Sequence, residues 1–308
     1  MSPVILWSLG GLFGILIAAT AIYFFLKRTR PAADFAEIGL RIRSWWIMVF
    51  VFSLAMLLSR NVSLCFFAFI SFLALKEYLS IIPTRRADRR VLLWAYLAIP
   101  VQYFWAGIAW YGMFIIFIPV YVFLFLPLCM VNVGETRDFL RSAGTLHWGL
   151  MTMVFSISHM AYLLVLPPVT VSGAGGSGLL LYLVFLTQSN DVAQFLWGKS
   201  LGRRKIVPNV SPNKTLEGFL GGVGTTTVLA VLLSGLLTPL SIPRALLAGI
   251  LISMAGFVGD VTISAIKRDI GIKDSSSLIP GHGGILDRID SLTFTAPLFF
   301  HFIRYFHF

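Results

Sequence analysis

The amino-acid sequence predicts an all-α, polytopic helical membrane protein. Hydrophobic residues make up 57% of the 308 residues and charged residues only 12%, which is about half the charged share of a soluble domain. The apolar runs are long and continuous, as in residues 4–26, whereas a transmembrane β-barrel shows alternating segments of about ten residues. Composition thus excludes a disordered chain and disfavours a soluble enzyme, and the run length favours helices over a barrel.

About ten segments are candidates for membrane-spanning helices, because a helix needs about 20 apolar residues to cross the hydrocarbon core. The second segment is short. The first has no basic residue ahead of it, and its length of about 23 residues suits a spanning helix better than a cleaved signal peptide. In chain order the ten predicted helices cover residues 4–26, 44–59, 62–80, 92–110, 112–131, 146–166, 178–198, 218–238, 245–266 and 291–306.

The basic residues predict the orientation of these helices. If the N-terminus is outside, 21 of the 24 Lys and Arg residues fall in inner loops, and Arg60, Arg244 and Arg304 are the outer ones. This bias matches the excess of Lys and Arg in cytoplasmic loops of membrane proteins. The formal net charge of +11 is therefore explained by topology, and we expect no nucleic-acid partner.

The acidic residues indicate a function on the inner side. All 13 lie on or near that side, although acidic residues contribute little to topology. The seventh and ninth predicted helices each carry one carboxylate, Asp191 and Asp260. A carboxylate inside a membrane is costly unless it faces a polar cavity or a partner, so both are predicted functional residues. Lys76 and Glu77, at another inner helix end, are interpreted as an ion pair.

A first polar cluster follows the seventh helix. Basic side chains, hydroxyls and glycines this close together suit a polyphosphate, because Lys and Arg supply charge, hydroxyls donate hydrogen bonds, and Gly lets backbone amides approach. Thr215 is also placed to begin the next helix, whose N-terminus would face an anion. The predicted substrate-binding residues of this cluster are Asp191, Lys205, Ser211, Lys214, Thr215 and Glu217.

A second polar cluster lies nearer the C-terminus. Asp260, Ser264 and Lys267 are spaced at i, i+4 and i+7 on one helix face, and Asp287 and Asp290 share a face at i, i+3. Carboxylates beside several cations are typical of a magnesium–phosphate site, since Mg²⁺ takes one or two carboxylates and completes its shell with water and phosphate oxygens. The cluster also contains the glycine-flanked His282 and the basic, predicted substrate-binding residues Arg268, Lys273 and Arg288.

These clusters resemble the signatures of one family, the phosphatidate cytidylyltransferases, or CDP-diacylglycerol synthases. The likeness is strong over residues 190–294 and only general in the apolar N-terminal half. Within this range, residues 190–222 resemble the second of the family's two signature motifs. The residues that carry the main signature are Ser264, Lys267, Arg268, Lys273, Asp274, Pro280, Gly281, His282, Gly283, Gly284, Asp287, Arg288 and Asp290.

The resemblance implies an enzyme that converts CTP and phosphatidate into CDP-diacylglycerol and pyrophosphate. It implies a homodimer in a bacterial inner membrane, a polar cavity open to the cytoplasm, and a centre of Mg²⁺ with K⁺ as second cation. By position, the expected metal ligands are Asp260, Asp287 and Asp290. The expected catalytic residues are Lys267, Asp260, Asp287 and His282. Those expected in the nucleotide and phosphate pocket are Ser211, Lys214 and Glu217.

Two features depart from the common family pattern. After Asp191, family members have small residues and a Tyr, whereas this chain has Val, Ala, Gln194 and Phe, so we expect an altered pocket. An additional helix before Arg41 indicates a divergent paralogue. We divide the chain into a membrane scaffold with lipid and dimer contacts, residues 1–145, and a catalytic region, residues 146–308.

Two alternative functions stay open from the residues alone. One keeps the nucleotidyl transfer but uses another lipid phosphate as acceptor. The other is a cation-coupled transporter in which Asp191 and Asp260 form the ion path. A transporter predicts charged groups that serve both faces, but no acidic residue lies outside. The chain also has no visible internal repeat of the kind found in many transporters.

Overall fold

The computed structural model describes residues 2–30, 35–167, 173–276, 278–281 and 283–308. Over this part of the chain the regular structure is helical. Its β contacts are two isolated bridges, one between Lys205 and Thr215 and one between Ile279 and Gly283. The prediction of an all-α fold is confirmed.

Ten principal helices, α1 to α10, follow one another along the described residues. In order they are Pro3–Thr29, Ala36–Leu58, Arg60–Ile81, Arg89–Gly107, Tyr111–Val131, 139–163, Gly175–Leu201, Leu216–Leu237, Ile242–Asp269 and Leu292–His307. α5 and α6 contain the π-helical stretches Phe117–Val122 and Leu150–Ser156, and a single turn, Leu286–Ile289, precedes α10. Each predicted segment corresponds to one of these helices.

Seven of these helices are long and apolar enough to cross a membrane, counted over the described residues. They are α1, α2, α3, α5, α7, α8 and α9. α10 has only 16 residues. The prediction of a polytopic helical membrane protein is confirmed, and the described residues contain seven spanning candidates where about ten were predicted.

The start of α2 differs from the prediction, because the helix begins at Ala36 and not at residue 44. Its first turns are charged, and Glu37 and Arg41 form an ion pair of 2.5 Å. Such a pair at i, i+4 stabilises a helix that has left the apolar layer. Hydropathy therefore marks only the apolar part of this helix.

Thr215 confirms the predicted start of α8. Its side chain accepts a hydrogen bond of 3.1 Å from the N–H of Gly218, which satisfies a donor that has no partner inside the helix. Ser59 does the same for α3 by accepting from Val62 at 3.2 Å. The capping residue of α8 thus fixes where the first polar cluster joins the membrane helix.

The C-terminal helices pack closely around the polar clusters. α8 contacts α7 and α9, and α9 contacts α10. Gly259 on α9 lies so close to the backbone of Asp290 and Ser291 that a side chain would clash there. Small residues are typical of close helix contacts in membranes. Gly259 therefore brings the next residue, Asp260, against the segment that carries Asp290.

Candidate active site

Three carboxylates from separate parts of the chain meet around one lysine. Lys214 Nζ lies 2.5 Å from Asp260 Oδ2, and the charges of Asp191 and Asp290 also act on Lys214. Asp191 accepts a hydrogen bond of 3.1 Å from the hydroxyl of Ser291. We call Asp191, Asp260, Asp290 and Lys214 the acidic cluster. Residues from α7, α9 and the segments before α8 and α10 thus converge, which brings together members of both polar clusters.

The charges of the acidic cluster perturb one another. Burial would lower the pKa of Lys214, but the carboxylates of Asp260 and Asp191 raise that pKa above its usual value. Burial also raises the pKa of Asp290 well above its ordinary range, and the charges of Asp260 and Asp191 raise it further. Neighbouring carboxylates resist simultaneous ionisation unless a cation is present. The three carboxylates of the acidic cluster therefore favour a cation beside them.

Asp287 lies in a second network, which is centred on Lys267. The two side chains are buried, and Lys267 Nζ lies 2.6 Å from Asp287 Oδ1. Asp287 Oδ2 accepts hydrogen bonds from the backbone N–H groups of Ser275 and Gly284, each at 3.0 Å, and from the Ser275 hydroxyl at 2.8 Å. Burial would raise the pKa of Asp287, but the Gly284 N–H and Lys267 lower it overall. Asp287 is therefore held as a carboxylate.

Glu77 on α3 is a site residue that the sequence interpretation missed. Its carboxylate is buried and accepts hydrogen bonds from the N–H of Ile285 at 2.9 Å and the N–H of Leu286 at 3.2 Å. It also contacts the Ser275 hydroxyl, whose single hydrogen it shares with Asp287. The interpretation of an ion pair with Lys76 is wrong, because Lys76 is exposed and Glu77 binds the loop. The signal that could have found it is a lone carboxylate near the end of an apolar span.

The glycine-rich part of the second cluster fits closely over these carboxylates. We call residues 273–285 the signature loop. Gly283 has φ +77°, a conformation that favours glycine. A side chain on Gly283 would meet the Asp287 carboxylate, and one on Gly284 would meet Glu77. The glycines are therefore closely packed against both carboxylates, while His282 lies outside the described residues and its role stays a prediction.

Glu217 has a structural contact in the first cluster. Its carboxylate accepts hydrogen bonds from the backbone N–H of Arg203 at 2.9 Å and of Arg204 at 3.2 Å. These bonds connect the basic segment 203–205, which follows α7, to the start of α8. The side chain of Lys205 is exposed, and that of Ser211 is half-buried. The predicted substrate contacts of Glu217, Lys205 and Ser211 stay predictions.

The basic residues of the second cluster have different surroundings. Arg268 Nη1 donates to the carbonyl of Ile272 at 2.8 Å, and Arg268 Nε donates to the carbonyl of Val210 at 3.3 Å. Arg268 thus joins the end of α9 to the turn that leads to α8. Lys273 is exposed on the signature loop. Arg288 is half-buried, and its charge acts on the acidic cluster.

The oxygen donors of the acidic cluster suit Mg²⁺, which prefers carboxylates. Within the ranges that the structure describes, no three His, Cys, Asp or Glu side chains are placed to hold one metal ion together. Of the predicted ligands, Asp260 and Asp290 belong to the acidic cluster, whereas Asp287 pairs with Lys267. The predicted ligand set stays a prediction, and Asp191 is a further carboxylate beside it.

We expect Glu77→Gln to lower the melting temperature of the protein. An amide nitrogen cannot accept hydrogen bonds, so a buried donor of the signature loop would lose its partner at a cost of about 1–3 kcal/mol. Thermal unfolding in detergent measures the change. Glu37→Gln is the matched control, because exposed ion pairs contribute only about 0–1 kcal/mol. Equal melting temperatures for the two variants would contradict this role of Glu77.

Comparison with known proteins identifies the family. Residues 39–306 match the model of the cytidylyltransferase family. A relative from Escherichia coli strain K12, Uncharacterized protein YnbB, is 51% identical over 298 residues, which cover 97% of this chain and 98% of that protein. The phosphatidate cytidylyltransferase of Bacillus subtilis strain 168 is 43% identical over 127 residues, or 41% of this chain and 47% of that enzyme.

A second phosphatidate cytidylyltransferase, from Haemophilus influenzae, is 42% identical over 132 residues, or 41% of this chain and 46% of that enzyme. The similarity to these two enzymes thus covers less than half of each chain, whereas the family model covers most of this one. The resemblance seen in the two clusters is confirmed, and it favours an enzyme over the transporter alternative. The chain belongs to the cytidylyltransferase family and is a multi-pass membrane nucleotidyltransferase.

Proposed function

We propose that the protein transfers a cytidylyl group from CTP to phosphatidate and so forms CDP-diacylglycerol and pyrophosphate, a step in phospholipid biosynthesis. The observation that carries the proposal is the convergence of the acidic cluster, which shares α9 and the segment 287–290 with the Lys267–Asp287 pair. Both lie in the part of the chain that resembles the phosphatidate cytidylyltransferases. Buried lysines beside carboxylates supply the charges needed to bind a nucleotide triphosphate and a cation together.

In the proposed reaction a phosphate oxygen of the lipid attacks the α-phosphorus of CTP. A new P–O bond forms, the bond to the β-phosphate breaks, and pyrophosphate leaves with that bond's electron pair. The chain needs no side-chain nucleophile, because the lipid phosphate is already ionised at neutral pH. Its contribution is positioning and electrostatic stabilisation. Lys267 and Arg268 offset the charge on the phosphates, and Lys214, Ser211 and the other residues of the first cluster hold the nucleotide.

Mg²⁺ is the proposed cofactor, with K⁺ as second cation. Asp260, Asp287 and Asp290 are the proposed ligands, and Asp191 supplies a further oxygen donor. Asp287 can bind the metal ion only if Lys267 releases the Asp287 oxygen that it contacts. When bound, the divalent ion neutralises charge on the triphosphate. Binding of Mn²⁺, followed by electron paramagnetic resonance without nucleotide, would test this set, since Asp260→Asn should weaken it.

We place the protein in the inner membrane of a bacterium, with its N-terminus outside and the acidic cluster on the cytoplasmic side. The distribution of 21 of 24 Lys and Arg residues supports this orientation. CTP then reaches the site from the cytoplasm and the lipid phosphate reaches it from the bilayer. A homodimer with contacts in residues 1–145 is part of the same proposal.

The decisive experiment incubates the purified protein with CTP, Mg²⁺ and phosphatidate and measures pyrophosphate release together with the lipid product. We expect release that depends on all three additions. The B. subtilis phosphatidate cytidylyltransferase, treated in the same way, is the positive control. If the control releases pyrophosphate and this protein releases none with phosphatidate, the proposal for this acceptor is wrong.

Gln194 favours a second candidate, in which the acceptor is another lipid phosphate. Its Oε1 accepts a hydrogen bond of 3.2 Å from Lys214 Nζ, and its buried Nε2 has no hydrogen-bond partner. A buried donor without a partner costs about 1–3 kcal/mol, and an acceptor atom on the substrate would recover that energy. The residue stands where this chain departs from the common family pattern. An acceptor lipid whose head group carries an atom that phosphatidate lacks would explain why glutamine stands at this position.

We expect Gln194→Leu to change the preference among lipid phosphates by about tenfold or more, which corresponds to about 1.4 kcal/mol. The assay compares kcat/KM for phosphatidate, polyprenyl phosphate and other phospholipid phosphates under one set of conditions. Ser200→Ala, an exposed change on the same helix, is the control and should leave the preference unchanged. If Gln194→Leu and Ser200→Ala give the same preference, Gln194 does not select the acceptor.

A further inference from the structure

An apolar cavity of about 480 Å³ opens among the helices next to the acidic cluster. Its walls come from α2, α3, α6, α7 and the segment that includes the signature loop. Representative lining residues are Met48, Phe52, Ile70, Met160, Val184 and Ile289. The volume is typical of small-molecule sites, which range over about 300–1,000 Å³. The apolar lining indicates a hydrocarbon as the occupant.

The polar end of the cavity borders the acidic cluster. Gln188 lines the cavity and lies at i, i+3 from Asp191 on the same face of α7. Arg288 also lines it, and its charge acts on both Asp191 and Asp290. Arg288 Nε is buried and has no hydrogen-bond partner. A guanidinium with an unused donor suits a phosphate group, and this one stands between the cavity and the acidic cluster.

The cavity is somewhat shorter than the hydrocarbon part of one leaflet of a bilayer. Its lining on α7 extends from Gln188 to Leu181, and its lining on α2 extends from Ser44 to Phe52. At a helical rise of 1.5 Å per residue these stretches measure about 10–12 Å. Half of the hydrocarbon core measures about 15 Å. From the end that carries Arg288, the cavity is therefore long enough to extend across most of the hydrocarbon part of one leaflet.

A direct contact joins α2 to the signature loop at the same end. The hydroxyl of Ser44 donates a hydrogen bond of 2.7 Å to the carbonyl of Pro280, and Gly281 lies against Leu40 and Arg41. Leu278, Ile279 and Pro280 line the cavity as well. The loop that carries the family signature is thus part of the cavity wall, so an occupant of the cavity would contact the site directly.

We infer that this cavity binds one acyl chain of the lipid phosphate substrate while Arg288 contacts its phosphate. The inference rests on the proposed function, because it needs a lipid phosphate as acceptor. An acyl chain gains little by moving from the bilayer into an apolar cavity, since lipid tails are as apolar as leucine. The cavity therefore selects the length of the chain and orients the head group, and it contributes little to overall affinity.

The test compares two variants on the same helix. Val184 lines the cavity, and Val192 is 53% exposed on the outer surface of α7. We expect Val184→Phe to lower kcat/KM for dipalmitoyl relative to dioctanoyl phosphatidate by tenfold or more. Val192→Phe adds the same ring outside the cavity and should leave that ratio within twofold of the wild type. An unchanged ratio in Val184→Phe would overturn the inference.

A second readout does not depend on turnover. A phosphatidate that carries a diazirine in the middle of one chain should, on irradiation, label peptides of α2 and α7 that line the cavity. The amount of label on these peptides should decrease in Val184→Phe and stay unchanged in Val192→Phe. Label spread over the exposed helix surfaces, or removed equally by excess phosphatidylcholine, would identify ordinary bilayer lipid as the occupant and overturn the inference.

The two readouts separate this inference from the proposed function. Turnover with an unchanged chain-length ratio and scattered label would leave the proposed function standing and reject the cavity. Localised label that depends on Val184, without pyrophosphate release from any lipid phosphate, would support the cavity as a lipid site and reject the proposed reaction.

Discussion

Replacing Asp287 by asparagine is expected to lower kcat for cytidylyl transfer by about 100- to 1,000-fold, the usual cost of losing a group that stabilises charge in a transition state. The amide nitrogen cannot accept from the N–H groups of Ser275 and Gly284, and Lys267 would lose its carboxylate partner at 2.6 Å. Breaking a buried ion pair also destabilises a protein by about 3–5 kcal/mol. Pyrophosphate release and thermal unfolding measure the two effects.

Asp269→Asn provides the matched control for this substitution. Asp269 is the last residue of α9 and is not one of the residues that carry the family signature, and its side chain is exposed, so its loss should change kcat and the melting temperature little. Activity of Asp287→Asn close to that of Asp269→Asn would show that the Lys267–Asp287 pair is not needed for the reaction. A folded but inactive Asp287→Asn protein would separate a catalytic effect from simple unfolding.

Lys214→Gln is expected to cause a comparable loss of activity. The substitution removes the ammonium that lies 2.5 Å from Asp260 and balances the charges of Asp191 and Asp290. Three neighbouring carboxylates would then repel the phosphates of CTP. We expect kcat/KM for CTP to fall by about 100-fold or more, with the loss seen for every lipid phosphate tested.

Lys199→Gln is the control for Lys214→Gln, because Lys199 is an exposed lysine at the end of α7. It removes the same charge from the protein without touching the acidic cluster. Equal values of kcat/KM for the two variants would mean that only the general positive charge of this face matters. A loss that is confined to Lys214→Gln, and that persists at high salt, would place the effect within the acidic cluster.

Hydropathy and charge predicted the helices well because both act locally. An apolar run of about 20 residues identifies a span wherever it occurs, and every predicted segment is helical in the structure. The boundaries were less accurate where charged residues continue a helix, as Glu37 and Arg41 do at the start of α2. Hydropathy indicates which residues of a helix lie in the apolar layer of the membrane. It does not indicate where the helical hydrogen bonds end.

The sequence predicted part of the candidate site. It did not predict contacts between residues that lie far apart in the chain. Asp191 and Asp260 stood out because each is a lone carboxylate in an apolar span, and they do lie together. The grouping of Asp287 with Lys267, apart from Asp260, was not visible from helical spacing alone. Glu77 was missed because its partners Ile285 and Leu286 lie more than 200 residues further along the chain, and no local pattern reports such a contact.

The contact of Glu77 with the signature loop couples α3 to a segment 208 residues later in the chain. Similarity to the B. subtilis enzyme covers 41% of this chain, yet the signature loop relies on a carboxylate from α3, far earlier in the sequence. Chimaeras that join the N-terminal half of one relative to the C-terminal half of another should therefore be more stable when the donor of α3 carries an acidic residue at this position. Recombination between paralogues is constrained in the same way.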